Sequence, residues 1–183
     1  SALTGCPFLN RACYLRGPVV IIEEEMGEGA LLNSLQDLAT GLGLNLDEKM
    51  EFPIYIRCRK GIDLDDPQQA HRFLEEILSL KPAMVILDSA EVVHSGGNKS
   101  TEEVLPLMEF CMKLRDATKG LIILIDHVVK VERKSARDRQ QQTRPAHMEI
   151  SGSHAKVGRA DEVIVLYETP SENRLLIFAK TRL

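Results

Sequence analysis

Three short apolar runs that each end in acidic residues constrain the fold of this chain more than any other feature. They are Val19–Glu25, Ala83–Asp88 and Leu121–Asp126, with the sequences VVIIEEE, AMVILD and LIILID. Runs of this length that are rich in Val, Ile and Leu are typical of strands buried on both faces of a sheet. We therefore expect three central strands that each end where the sheet meets water.

Segments with helical or strand-like patterns separate these runs. Ala30–Leu44 has leucines three and four residues apart, which predicts a helix with one apolar face. Pro53–Ile56 is a further short strand, and Asp66 before Pro67 supplies the N-cap and first position of a helix that Pro82 ends. Strands that alternate with helices predict an α/β fold with a doubly wound, mostly parallel sheet.

The second half of the chain adds a third helix and a hairpin. Ser100 and Glu103 have the spacing of a capping box for a helix that ends near Thr118, although Pro106 favours a first turn a few residues later. The two β-rich runs Glu162–Tyr167 and Leu175–Ala179 flank the turn sequence TPSEN, which predicts a C-terminal β-hairpin at one end of the sheet. Because no linker divides the sequence, we expect residues 1–183 to form a single domain.

Acidic residues and a histidine follow the three central strands. Any one strand end has an ordinary explanation, because a buried strand must end in polar residues where it meets water. Parallel sheets, however, bind ligands at the carboxyl ends of their strands, and clustered carboxylates repel one another unless a cation lies among them. Magnesium with a phosphate chain would explain the set. Asp88 would hold the waters of the metal, one acid of the glutamate run would orient and deprotonate the attacking water, and His127 would contact the terminal phosphate.

The order of the segments resembles a known family. The sequences GPVVIIEEE, AMVILDS, LIILIDHVVK, SGSHAKVGRADEVIVLYE and LLIFAKTR follow one another as in the RecA-like core of hexameric replicative helicases of the plasmid RepA and DnaB types. The resemblance covers nearly the whole chain from Gly17 onward. It implies a RecA-like domain that hydrolyses ATP with Mg²⁺ at the interfaces of a homohexameric ring and binds single-stranded DNA.

The resemblance also implies roles for individual residues. Glu25 matches the catalytic glutamate, and Glu24 is its near competitor because a one-residue shift would exchange them. Asp88 matches the Walker B aspartate that binds Mg²⁺, with Ser89 beside it at the nucleotide. His127 matches the sensor position.

The resemblance also extends to the C-terminal strand, and it has one departure at the sensor position. Lys180 and Arg182 match the lysine and arginine fingers that such helicases insert into the nucleotide site of the neighbouring subunit. A solvated strand end would also explain these two charges. Asp126 departs from the histidine pair that RepA relatives have at the sensor position.

The segment Lys130–Arg144 is strongly basic although the whole chain has a net charge of −4. A local positive segment on an acidic chain suits contact with a phosphate backbone, and a solvated polar loop has a similar composition. In the resembling helicases, the segment after the sensor strand lines the central channel and grips single-stranded DNA. The basic residues are Lys130, Arg133, Lys134, Arg137, Arg139 and Arg144.

The sequence contains no GxxxxGK[ST] motif, the loop that holds the phosphates in such ATPases. The resemblance places that loop and its strand just before Ser1, so we expect a natural protein that is longer at its N-terminus. Two alternatives stay open. One is a non-catalytic nucleic-acid-binding or assembly subunit, and the other is a metal-dependent phosphoesterase with Glu25, Asp88 and His127 around one metal.

Composition favours a cytoplasmic protein without membrane segments. No apolar run is long enough to span a bilayer, and residues 1–17 lack the charged and apolar regions of a secretion signal. The cysteines form no CxxC pair, so reduced thiols are a better interpretation than zinc or disulfides. They are Cys6, Cys13, Cys58 and Cys111.

Charge reversal of Arg133, Lys134 and Arg137 in the full-length gene product tests the role of the basic segment. We expect weaker binding of single-stranded DNA and a flatter dependence of affinity on salt, because fewer counterions are released from the phosphates. Binding isotherms at several salt concentrations measure both quantities. Unchanged affinity would contradict the assignment.

Overall fold

A computed structural model of the chain describes residues 14–44, 53–90, 93, 100–127, 154–168 and 174–181. Helices and strands alternate through most of this length, as the sequence predicts for an α/β fold. In chain order the elements are β1 (Val19–Glu23), α1 (Glu28–Gly41), β2 (Ile54–Cys58), α2 (Pro67–Ser79), β3 (Met84–Asp88), α3 (Thr101–Thr118), β4 (Leu121–Leu124), α4 (His154–Arg159), β5 (Glu162–Glu168) and β6 (Arg174–Thr181).

Four strands form one parallel sheet in the order β2-β1-β3-β4. At the start of β1, Val19 pairs with Ile54 of β2 and Met84 of β3. At its end, Glu23 pairs with Cys58 on one side and Asp88 on the other. The sequence-based prediction of an α/β fold with a parallel sheet is therefore confirmed, and the strand ends lie at one edge.

Strand β1 is buried on both of its faces, as its continuous apolar sequence predicts. Val20 and Ile22 pack in one core with residues of α2 and α3, whereas Val19 and Ile21 pack on the opposite face with Leu31 of α1. Full burial of an aliphatic side chain contributes about 1.5–3 kcal/mol, so the position of β1 is strongly determined. Helices thus cover the parallel sheet on both faces.

Two of the strands end earlier than their sequence runs indicate. β1 ends at Glu23 rather than Glu25, because the Glu23 carboxylate accepts hydrogen bonds from the backbone N–H groups of Glu25 and Met26, both at 2.7 Å. This local turn directs the chain away from the sheet. β4 ends at Leu124, so Asp126 lies beyond the strand rather than in it.

The two predicted helix caps are present. The Asp66 carboxylate accepts from the backbone N–H of Gln68 at 2.8 Å, and Ser100 and Glu103 form the reciprocal bonds of a capping box. The expected later start of α3 is wrong, because the helix begins directly after Ser100 and includes Pro106. A proline this early disturbs only a carbonyl of the first turn, where the cap already fixes the backbone.

Helix α1 starts two residues before the predicted range and ends three residues before its end. Its apolar face is narrower than the leucine spacing indicates, because Leu31 and Ala39 are buried whereas Leu38 and Leu42 are exposed. None of the helices in the described ranges is long and apolar enough to cross a membrane.

The strands β5 and β6 pair antiparallel in a separate two-stranded sheet. The sequence placed this pair at one end of the parallel sheet, but in the described residues no ladder joins the two sheets. The short helix α4 precedes β5 and was not predicted, since six residues are too few for a recognisable period. Arg159 of α4 donates to the Met112 sulfur at 3.7 Å, and this contact holds α4 against α3.

Gly120 is required where the chain leaves α3 for β4. A Cβ atom at this position would lie 2.6 Å from the backbone oxygen of Ala83, so backbone atoms would have to move. We predict that Gly120→Ala lowers the free energy of unfolding by about 1–3 kcal/mol, as overpacking does. In Gly29→Ala, the control in α1, the added Cβ has no atom within 4 Å, and we expect stabilisation of about 0.5 kcal/mol from helix propensity. Urea denaturation measures both values, and equal stabilities for the two variants would contradict this account.

Candidate functional site

The carboxyl ends of β1, β3 and β4 meet at one edge of the parallel sheet. There the Glu25 carboxylate lies 3.1 Å from Nε2 of His127 and accepts a hydrogen bond from the Ser89 hydroxyl. Asp88 precedes Ser89 through a cis peptide bond. We call the set Glu23, Glu25, Asp88, Ser89 and His127 the rim. The structure thus brings together the three side chains that the sequence selected at the strand ends, and their catalytic roles stay predictions.

The three consecutive glutamates have different partners. Glu23 is buried and its carboxylate holds the turn after β1, as described above. The Glu24 carboxylate is also buried and accepts from the backbone N–H groups of Lys60 at 3.2 Å and Gly61 at 3.1 Å. The Glu25 side chain is 36% exposed and is the one that contacts His127. Of the two candidates for the catalytic acid, Glu25 therefore contacts the other residues of the rim, whereas Glu24 connects the end of β1 to the loop after β2.

Arg59 fixes the backbone of this turn and was not found from the sequence. Its backbone N–H donates to the Glu23 carbonyl at 2.9 Å, and its Nε donates to the Glu25 carbonyl at 3.1 Å. Arg59 follows β2, so only the parallel pairing of β1 and β2 brings it beside the glutamates. A basic residue directly after a strand was the one signal for it in the sequence.

The carboxylates of the rim differ in their electrostatic environment. Burial, together with the negative charges of Glu23 and Glu25, raises the pKa of Asp88 to about 6. The hydrogen bond from Ser89 and then that from His127 lower the pKa of Glu25. Glu25 is therefore ionised at neutral pH, whereas burial and the neighbouring negative charges oppose the ionisation of Asp88. Such a set of acids favours a cation among them.

A buried ion pair lies next to the rim. Nζ of Lys156, on α4, is 2.6 Å from Oδ2 of Asp126, and the two side chains are 5% and 10% exposed. The other carboxylate oxygen of Asp126 accepts from the backbone N–H of His127 at 2.9 Å. Lys156 was not selected from the sequence, where it is a single lysine among small residues.

The remaining predicted residues lie elsewhere. Lys180 lies in β6 and pairs in register with Val163 of β5. Arg182 and the six basic residues of the segment 130–144 lie outside the described residues, so their proposed roles stay predictions. The six are Lys130, Arg133, Lys134, Arg137, Arg139 and Arg144.

Direct metal coordination finds no support in the part of the chain that the structure describes. There, no group of three or more His, Cys, Asp or Glu side chains could hold a metal ion together. The phosphoesterase alternative requires Glu25, Asp88 and His127 around one metal, so the geometry does not favour it. A hydrated ion held through its waters needs fewer protein ligands.

The sequence matches no protein-family model, and a search of curated proteins gives no match. The geometry of the rim and the order of the sequence segments are therefore the observations from which a function can be proposed.

Asp88→Asn should change how the stability of the protein depends on pH. Because the pKa of Asp88 is about 6 in the folded state and 3.8 in the reference state, the folded wild type keeps a proton that the unfolded chain releases. The wild type therefore loses stability as the pH rises between these two values, and the variant does not. We expect the stability of the variant relative to wild type to rise by about 1–2 kcal/mol from pH 4 to pH 7, after discounting for solvent screening.

Urea denaturation at several pH values measures this difference. Asp37→Asn on α1 is the control, because it removes an exposed carboxylate that is not one of the rim residues. The prediction is wrong if both variants follow the wild type equally at every pH.

Proposed function

We propose that this chain forms part of a RecA-like ATPase domain in a ring-forming, ATP-driven DNA motor of the replicative-helicase type. The observation that carries the proposal is the position of the Glu25 carboxylate. It lies 3.1 Å from His127, contacts Ser89 and neighbours Asp88 at the carboxyl ends of parallel strands. A parallel sheet with helices on both faces and an acidic site at that edge is compatible with the RecA-like fold.

In this proposal Glu25 orients the attacking water. Its lowered pKa keeps the carboxylate ionised, and because Ser89 and His127 both contact Oε1, Oε2 is the oxygen that would accept a hydrogen bond from the water. Ser89 and His127 hold the carboxylate in one orientation, which reduces the entropy lost when the water is bound. His127, more than half exposed, is accessible to a terminal phosphate.

The acids of the rim fit a hydrated magnesium ion. Mg²⁺ prefers oxygen ligands, keeps several waters and is commonly held by one or two carboxylates together with substrate phosphates. Asp88 would hold its waters, and when bound the ion would neutralise charge on the transferred phosphate. The phosphates also need a cradle of backbone N–H groups, and the GxxxxGK[ST] motif that builds one is not part of these 183 residues.

The proposed partners are single-stranded DNA and further copies of the protein. The basic segment 130–144 begins three residues after His127 in the sequence. Contact between this segment and DNA would connect DNA binding with the nucleotide site. Lys180 and Arg182 would act at the nucleotide site of a neighbouring subunit in a hexamer.

Glu25→Gln and Asp88→Ala in the full-length gene product test the catalytic assignment. We expect ATP turnover to fall by about 10²–10⁴-fold in Glu25→Gln, the range for loss of a positioned base. ATP binding should persist in that variant because the glutamine keeps the shape of the side chain. Steady-state hydrolysis and nucleotide binding are the two measurements.

Glu24→Gln is the matched control. Its carboxylate bonds to backbone groups of Lys60 and Gly61 rather than to the rim, so it should lower stability and leave turnover within about threefold. Unchanged hydrolysis in both Glu25→Gln and Asp88→Ala would overturn the proposal. A wild-type protein that binds single-stranded DNA but never hydrolyses ATP would favour the non-catalytic alternative.

A further inference from the structure

The ion pair of Lys156 and Asp126 is unusual because both charges are almost completely removed from water. Burial of a charge is unfavourable, and a buried ion pair often stabilises a fold no better than an apolar pair of the same volume. Core stability alone is therefore a weak reason for a lysine at this position. The contacts of Asp126 offer a better one.

The two oxygens of the Asp126 carboxylate have separate partners. Oδ2 receives the Lys156 ammonium, and Oδ1 accepts from the backbone N–H of His127. The side chain of that histidine then contacts Glu25 through Nε2. A continuous series of contacts thus runs from α4, through the turn after β4, to the rim.

We propose that Lys156 is a positioning residue, whose buried ammonium fixes the Asp126 carboxylate and thereby sets His127 beside Glu25. The inference rests on the proposed function for its catalytic consequence, but the positioning itself is a property of the folded chain. A rotation of the Asp126 carboxylate would break its hydrogen bond with the backbone N–H of His127, because one carboxylate binds both the Lys156 ammonium and this N–H.

Helix α4 is a suitable support for this lysine. Arg159 contacts the Met112 sulfur of α3, and Arg115 of α3 pairs with Asp161 at 3.3 Å just after α4. Lys156 therefore lies on a helix whose own C-terminal end is attached to α3. Backbone bonds of Ile125 with Leu87 and Ala90 hold the turn after β4 beside β3, and the lysine adds a connection from this turn to α4.

Lys156→Met in the full-length gene product is the first test. We expect kcat for ATP hydrolysis to fall by about 10–100-fold, because a displacement of about 1 Å at a catalytic group costs that much, while KM for ATP changes less than threefold. Lys113→Met, an exposed lysine on α3, removes the same charge and should leave both constants unchanged. A rise in KM with unchanged kcat would overturn the inference.

Modification of histidines by diethyl pyrocarbonate gives a second readout that does not depend on ATPase activity. The contact with Glu25 occupies Nε2 of His127, so its release should raise the modification rate at least threefold in Lys156→Met. Mass spectrometry measures that rate relative to His71, which is 71% exposed on α2 and serves as the internal reference for the activity of the reagent. Glu25→Gln alone should also raise the modification rate of His127. Combined with Lys156→Met, it should have no further effect on that rate.

Lys156→Met leaves a buried carboxylate without its cation and can fail to fold, so the double variant Asp126→Asn with Lys156→Met is made as well. The asparagine keeps an acceptor for the His127 N–H but is no longer held by the lysine. If the double variant folds and the reagent modifies its His127 at the wild-type rate, the inference is overturned. If the wild type shows no ATPase activity, the proposed function fails, and the modification rates still decide whether Lys156 positions His127.

Discussion

The parallel register of β1 and β3 is the constraint on which the rest of the site depends. It puts Glu23 directly opposite Asp88, with Glu25 and His127 following at the same edge. The acids come immediately after buried apolar residues, so a shifted register would carry a carboxylate between buried strands. The apolar core thus holds the carboxylates together against their mutual repulsion, and burial together with this repulsion raises the pKa of Asp88.

Much of the fold could be predicted from local sequence patterns. The apolar runs gave the parallel strands, and the side chains of Asp66 and Ser100 gave the correct helix starts because capping depends on residues close in sequence. The predicted end of β3 was correct, but those of β1 and β4 were two residues too late. The turn after β1 depends on bonds between Glu23 and its own neighbours that the apolar run does not reveal. Helix α4 was too short to leave a periodic signal.

The site was only partly predictable for a different reason. The expectation that a parallel sheet binds ligands at the carboxyl ends of its strands identified Glu25, Asp88 and His127, because these strands end at a common edge. It could not separate Glu24 from Glu25, whose partners are 36 and 102 residues away along the chain. Arg59 and Lys156 were missed on the same ground, since each acts on a residue about thirty positions distant. Local patterns carry no information about such pairs.

The different partners of the three adjacent glutamates have a consequence for sequence variation. A substitution at one of these positions alters the contacts of one carboxylate, whereas a single-residue insertion or deletion between Ile22 and Met26 would reassign all three together. After an insertion before Glu23 the acid now in the turn would take the position that contacts the loop after β2, and after a deletion of one glutamate the acid of the rim would take that position. Among natural variants, the length of this segment should therefore be far more restricted than its composition.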